Sequence, residues 1–586
     1  MRASTLSAGL DWVLSPGAVP LLASALTLLI IFNYVVVTLQ YHRGRKSRGT
    51  GLPVPLYPAL VPYFGNVVPL IFNSARFVRA ATSYGGRLTS TAVTFMGIKL
   101  YLFQDRETIA KFMKHPDLCS PMSLYVFALR HFFGMPEKSL EVYRADESGP
   151  HKKPFPGTDS HFRIDYVLHQ SFIRGWSGPG LVHTTRRFRG ALQARADGLD
   201  ISSTSWVQVP DIFQFLLNPV SASITESVFG PTLLSINPDF LDDLWAYDAK
   251  LPWMARGLPS FLMPAPYRIR DRLRAQIKRW QSHARDSFRE SDIEGDGGDP
   301  FWGSELVRQL WEVLRGAGTH DDDALSAHHL GMIFAANFNL VPSAVVTMLQ
   351  IILVPGLLQR VRDEMEANVT RSPSGVEGVE FRRLLHLPLL SSVYAEALRL
   401  HVKVFFFASS PRSEVSVGKW TLPRGSLGLI NTDGPHTDER VWNTQNGRHP
   451  VDTFWAERFL VDPSDPSSGP VNPQFRAQEC SERKRGGVPD KSPSDKSSKH
   501  FSTEGLEGSW IPYGGGPAIC PGRFLAKNII LLTCALLISE FDFELVGDVE
   551  MGELDDWRYG LGVVRPKNEI PVRIRRRSAR VPVWLS

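Results

Sequence analysis

The stretch Trp510-Ile-Pro-Tyr513-Gly-Gly-Gly516-Pro-Ala-Ile-Cys520-Pro-Gly522-Arg-Phe-Leu-Ala-Lys527 sets one cysteine at the end of a glycine-rich loop, directly before an apolar run that reads as a helix. Gly514 to Gly516 carry no side chains to obstruct a flat macrocycle. A helix starting after Cys520 aims unpaired N–H groups and a positive dipole end at the sulfur. Those features favour the ionised thiolate, the form that ligates iron. The chemistry that follows is a thiolate on haem iron, an axial ligand that favours O–O cleavage and so oxygen activation. The competing reading is a glycine loop around a buried structural cysteine, a residue type that is often buried.

Three further charged residues stand in an order that matters. In Tyr394-Ala-Glu396-Ala-Leu-Arg399 the three-residue spacing puts Glu396 and Arg399 on one helical face. Downstream, Phe454-Trp-Ala-Glu457-Arg458-Phe459 adds a second arginine. Alone, a Glu-x-x-Arg pair is an ordinary surface ion pair worth tenths of a kcal/mol. Placed before the cysteine loop in this order, it resembles the cytochrome P-450 family. The family's Glu-x-x-Arg helix locks onto an arginine of a Pro-Glu-Arg-Phe-like segment, and its haem signature is Phe-x-x-Gly-x-x-x-Cys-x-Gly. Tyr513, Gly516, Cys520 and Gly522 fill the four signature positions, with tyrosine for phenylalanine, and Ala456 replaces the proline.

What the resemblance implies is a mainly α fold with a minor β portion, haem b held by Cys520, and a buried Glu396, Arg399 and Arg458 triad bracing the haem loop. It also implies O2 and NADPH electrons delivered through NADPH-cytochrome P-450 reductase, while the membrane anchor and apolar pocket described below suggest a lipophilic small-molecule substrate such as a sterol, terpenoid or fatty-acid derivative. Arg412, in Pro411-Arg412, looks like the propionate-binding arginine, with a solvated loop arginine as the alternative. It matters more here because Ala518 stands where the family has a basic residue. The usual Trp-x-x-x-Arg helix is not clear; the region of His183 to Arg189 lacks the tryptophan, which leaves Arg187 as a weak candidate.

Ala324 to Leu353 reads as one long apolar helical pattern, similar to the family's central distal helix. Most monooxygenases carry an acid followed by a threonine there; this chain has Phe338 and Asn339, with Pro342 three residues later. That variant resembles the sterol 7α-hydroxylase and prostacyclin synthase branch. Asn339 can donate or accept a hydrogen bond near the oxygen site, while Pro342 removes a backbone bond and bends the helix. The plainer reading is a kink with a core-facing asparagine. That branch holds both hydroxylases and oxygen-independent rearrangement enzymes; monooxygenation, the commoner family outcome, is the expectation, with rearrangement of a peroxide or epoxide as the alternative and a non-catalytic haem sensor or carrier as a third. His328 and His329 read as packing or surface residues and not as metal ligands. Val404 to Ala408, Tyr125 to Phe133 and Gly560-Leu561-Gly562 suit the lining of an apolar pocket or ordinary core.

The elements that must position these groups fit one large enzymatic body. The chain has 586 residues, 43% of them apolar, with 65 basic against 59 acidic residues and a pI near 9.0. That small excess does not argue for nucleic acid. The basic runs at His42 to Arg48, Arg483 to Arg485 and Arg573 to Arg577 read as solvated or membrane-proximal faces. Cys119, Cys480, Cys520 and Cys534 form no Cys-x-x-Cys pair, which argues against a disulfide framework or zinc site and for a reducing cytosol.

Pro20 to Val37 is an uncharged apolar run long enough to cross a bilayer. The basic residues after it place the rest of the chain in the cytosol, so residues 1–19 are expected to be lumenal, 20–40 a signal anchor of the endoplasmic reticulum, and 41–58 a basic, proline-rich hinge. A cleaved signal peptide is the competing reading. Residues 59–586 form the catalytic domain, with 462–508, rich in Ser, Pro, Gly and Lys, expected to be a disordered insertion. No internal repeat is evident. The style of long polar insertions resembles fungal enzymes of specialised metabolism.

Overall fold

The computed structural model describes residues 18–585 apart from 48, 62, 85–86, 120–121, 159–162, 486–497 and 517–518. The described residues divide into two compact units, Met1–Leu118 with Phe406–Asn431, and Cys119–Phe405 with Thr432–Ser586.

In the first unit, helix α1 (Ala18–Lys46) exposes Leu21, Leu22, Leu26, Leu28, Leu29 and Phe32, an apolar surface with no charged residue before Arg43. Its basic end is tied down. The Tyr41 hydroxyl donates to the Ala81 carbonyl at 2.9 Å, and Arg45 Nη2 donates to the Ser83 carbonyl at 2.7 Å. The helix therefore continues to Lys46, past the expected boundary of the anchor at residue 40. Strands β1 (Thr91–Phe95) and β2 (Ile98–Leu102) form a hairpin whose turn, Met96-Gly97, takes positive φ at both residues, as a tight two-residue turn between twisted strands requires. Strand β4 (Leu427–Asn431) joins β2 in parallel register.

The second unit is the helical body. Its framework comprises α2 (Ile164–Trp176), α3 (Gly180–Asp197), α4 (Ile212–Phe229), α5 (Phe240–Ala255), α6 (Pro264–Ser287), α7 (Asp322–Asn337), α8 (Leu340–Leu353), α9 (Pro388–His401), α10 (Pro473–Arg485) and α11 (Arg523–Glu540). Asp321 caps α7 by accepting from Ala324 N at 2.9 Å, and Asp211 caps α4 through Phe213 N at 3.0 Å. Helix α8 is apolar all round and buried on every face between α9, α4 and α11, as a central core helix must be. Strand β3 (Val402–Ala408) leaves α9; its first residues pair with β6 (Leu561–Val563) in the register Val402↔Val563, Lys403↔Gly562 and Val404↔Leu561. Strand β5 (Phe541–Leu545), straight out of α11, pairs antiparallel with β7 (Val572–Arg576). The body is mainly α with small sheets, as expected.

The expected disordered insertion at 462–508 is corrected in part. Asn443 donates its carboxamide to the Ser467 and Gly469 carbonyls at 2.7 and 2.8 Å, and Val471 is buried opposite Trp442. Residues 473–485 then form α10, and His500–Phe501 pairs with Leu460–Val461. Few apolar residues suffice there because one buried asparagine satisfies the loop's carbonyls. Residues 486–497 of the segment lie outside the described residues, as do residues 1–17 of the expected lumenal segment.

Candidate active site

The cysteine loop is shaped by its glycines. Gly514 and Gly516 take φ of 70° and 61°, which an L side chain rarely adopts, and they fold the chain back so that Cys520 N donates to the Tyr513 carbonyl at 2.9 Å. Helix α11 starts at Arg523, so its unpaired N–H end lies just past the sulfur. Burial pushes the Cys520 thiol up, and the Gly522 N–H and the Arg523 charge only partly oppose it. Burial thus opposes the helix end at this sulfur, and a cation bound there would favour the thiolate.

The Glu396 triad is present as a fully buried cluster. Glu396 Oε2 accepts from Arg399 Nε at 2.7 Å and Oε1 from Arg458 Nε at 2.8 Å, and the side chains of all three are 0% exposed. One carboxylate faces two guanidinium groups, and backbone carbonyls take up the surplus donors. Arg399 donates to His436 and Val451 carbonyls at 2.7 and 2.6 Å, Arg458 to those of Asn443, Pro450 and Thr453. Burial opposes ionisation of Glu396, but the two arginines win and hold its carboxyl below the usual range.

His436 connects this cluster to the loop. Its Nδ1 is 3.0 Å from the Arg399 carbonyl and its Nε2 accepts from Ile511 N at 3.0 Å, which fixes the tautomer with the proton on Nδ1. Burial lowers its pKa to about 3, so the ring is neutral. Trp510 Nε1 also donates to the Ala395 carbonyl at 3.2 Å, and the Tyr394 and Tyr513 hydroxyls share a 2.8 Å bond. These contacts tie α9, with Glu396 and Arg399, to the segment carrying Cys520.

The residues present fit a haem. Trp176 ends α2 against the loop: a Cβ on Gly522 would lie 3.6 Å from its ring and 3.8 Å from Cys520 Sγ. The indole Nε1 of Trp176 is buried with no hydrogen-bond partner among the described residues. A buried, unpaired donor beside a candidate axial sulfur is what a haem carboxylate would satisfy. Sequence reasoning missed this tryptophan because it searched for Trp-x-x-x-Arg, and Gly180 stands four residues after Trp176. The weak candidate Arg187 is committed elsewhere, with Nε 2.8 Å from Asp296 and Nη1 2.8 Å from the Gly303 carbonyl. Arg412 lies in the first unit, where Nη2 is 3.5 Å from Asp117. Ala518 lies outside the described residues.

The distal element breaks where the sequence says it must. Pro342 has no N–H for the Phe338 carbonyl, and the helix is interrupted at Phe338 and Asn339 between α7 and α8. Phe338 turns inward against Phe334, Trp245 and Tyr247 at ring distances of 4.6, 5.7 and 6.4 Å. Asn339 and Ala335, one helical turn apart, are by contrast exposed, while Ala336, Asn337, Phe338 and Leu340 around them are buried. Phe133 packs on Phe334 at 5.4 Å, and Phe405 on Tyr559 at 6.0 Å. His328 and His329 are buried packing residues, as expected. Among the described residues no His, Cys, Asp and Glu cluster could hold a separate metal ion.

Comparison with known proteins bears on this geometry directly. The cytochrome P450 family profile matches residues 491–572, which contain the cysteine loop. Cytochrome P450 monooxygenase fsoE of Humicola fuscoatra is 30% identical over 95% of this chain and 94% of its own length. Cholesterol 7-alpha-monooxygenase of Cricetulus griseus is 23% identical over 57% of this chain and 58% of its own. Retinoic acid-bound cyanobacterial CYP120A1 superposes with a TM-score of 0.58 at 16% identity, over 90% of this chain and all of that one, which speaks for the fold. The chain belongs to the cytochrome P450 family. It is an oxidoreductase of the monooxygenase kind, working with a haem-thiolate iron, O2 and electrons from a redox partner.

Proposed function

We propose that the chain is an anchored monooxygenase that hydroxylates or otherwise oxidises a lipophilic substrate, a sterol, a terpenoid or a related specialised metabolite, with electrons from NADPH-cytochrome P-450 reductase. The observation that carries the reading is the distal break: an exposed carboxamide at Asn339 next to Phe338, which packs among Phe334, Trp245 and Tyr247, in a body whose cysteine loop suits a haem. The substrate class is supported by that aromatic surrounding and by the similarity to a cholesterol 7-alpha-monooxygenase. The exposed apolar face of α1, with basic residues only at its docked end, supports a single-pass anchor of the endoplasmic reticulum with the catalytic body in the cytosol.

Bound at Cys520, a haem supplies oxygen activation by a thiolate-ligated iron. The residues of the chain then have separable tasks. Cys520 donates the sulfur, and the glycine loop and α11 hold it in place. Trp176 Nε1 is the candidate donor to a propionate. The Glu396, Arg399 and Arg458 cluster, through His436, Trp510 and the tyrosine pair, fixes the loop. Phe338 stands where the family has the acid and Asn339 where it has the threonine; the Asn339 amide holds a water or substrate hydroxyl at Nδ2 without itself changing charge. Phe338, facing the aromatic core, takes no part in proton movement.

The experiment is turnover of a sterol and terpenoid panel by membranes containing the chain, with and without NADPH and the reductase. Product that requires both supports the reading. Product from peroxides or epoxides with neither would replace it with a rearrangement reaction.

A further inference from the structure

The turn Tyr559-Gly560-Leu561-Gly562 lies directly beside the distal break. Gly562, on β6 opposite Lys403, takes φ of 150°, a conformation open mainly to glycine. A Cβ at this position would fall inside Asn339 Oδ1, with Asn339 Cγ at 3.0 Å and Nδ2 at 3.5 Å. The amide therefore meets the strand oxygen-first, and its Nδ2 end is turned away from it. Asn339 makes no side-chain cap bond to α8 and, among the described residues, has no other hydrogen bond to fix its orientation. A terminal amide torsion is broad and nearly two-fold, so without a steric seat either end could face the open side.

We propose that Gly562 is a positioning residue. By lacking a side chain it provides the seat for the oxygen end of Asn339 and so sets the carboxamide with its N–H donors towards the open side of the break. This deepens the reading of Asn339 given above and rests on it. The Cα–H of Gly562 facing Oδ1 contributes a weak contact of the kind found between neighbouring strands. Gly560, two residues earlier, provides a seat of another sort: a Cβ there would collide with the ring of Phe405, whose N–H donates to the Gly560 carbonyl at 3.0 Å. Gly560 also has positive φ, at 88°, so the two glycines share backbone strain but not a neighbour. That difference separates a seat for Asn339 from a turn that merely needs glycine.

The test is a cycle of Gly562→Ala, Asn339→Ala and the double variant, with Gly560→Ala as the control, in the haem-loaded full-length protein. Two quantities are read: the melting temperature, and the C–O stretching frequency of the reduced carbon monoxide complex, which reports a hydrogen-bond donor on the distal side. Gly562→Ala is expected to shift the stretch towards that of Asn339→Ala and to raise the share of electrons lost to hydrogen peroxide towards the share that Asn339→Ala loses. In the Asn339→Ala background the same glycine change is expected to add nothing to the stretch and to lower the melting temperature less, because the truncated side chain leaves room for the new Cβ. Gly560→Ala is expected to cost the same in both backgrounds. Equal melting losses from Gly562→Ala with and without Asn339 would overturn the seat and leave only strain. If the melting rescue appears but Asn339→Ala leaves the stretch and peroxide release unchanged, the seat stands and the role given to Asn339 is what fails.

Discussion

Removing the Glu396 carboxylate is the most revealing perturbation of the support behind the loop. In Glu396→Ala, the guanidiniums of Arg399 and Arg458 lose the carboxylate they share while remaining 0% exposed, and Trp455 N loses an acceptor at 3.2 Å. Breaking a buried ion pair by deleting one partner costs about 3–5 kcal/mol, because the remaining charge stays desolvated. The carbonyls that already accept from both arginines moderate this, so about 4 kcal/mol is a fair expectation. With an unfolding entropy of about 2.1 cal/mol/K per residue, a body of several hundred residues would melt roughly 4 °C lower. Because His436 and Trp510 link this cluster to the cysteine segment, haem retention is expected to fall further than the melting temperature implies. Glu396→Gln keeps an acceptor but not the charge and should fall between parent and Ala. The assay is calorimetry alongside haem content per protein. A Glu396→Ala protein that melts within about 1 °C of the parent and keeps its full haem would refute the claim that this cluster braces the loop.

Other outcomes follow from the same geometry. His329, His401 and His436 are buried neutral, with burial lowering them to about 3, 4 and 3, so their folded values lie below the unfolded value. Their contribution is complete above about pH 6.5 and is lost as pH falls towards the folded values, at about 1 kcal/mol per pH unit for each. Urea titrations between about pH 7.5 and 5.5 should show it, and His436→Gln should flatten the slope. Trp176→Phe is expected to weaken haem binding, read as faster transfer of haem to apomyoglobin, because it removes the unpaired indole donor and little of the ring. Deleting residues 1–40 is expected to move the protein from the membrane pellet to the supernatant; an unchanged pellet fraction would count against α1 as the sole anchor.

Much of the site was legible because its parts carry chemistry at fixed spacing. Cys520 in its glycine loop, the Glu396 and Arg399 helix pair, and the Phe338, Asn339 and Pro342 break each declare themselves within a few residues. What escaped the sequence depends on contacts between distant segments. Trp176 meets Gly522 from far along the chain, His436 bonds Ile511, and Gly562 meets Asn339, with no periodicity to announce any of them. The order of residues 467–485 was missed for a similar reason. Composition registers few apolar residues there but not that Asn443 satisfies the loop's carbonyls. Burial of Cys520, which opposes its ionisation, is likewise invisible in a sequence that shows only the helix start and the loop glycines.

The most direct measurement of the central claim is the reduced carbon monoxide difference spectrum of Cys520→Ser beside the parent protein. The account predicts a thiolate-type Soret band in the parent and its complete loss in the variant, with protein yield and secondary structure retained. A variant that kept that band would mean that another group ligates the iron, and the assignment of Cys520 would be wrong.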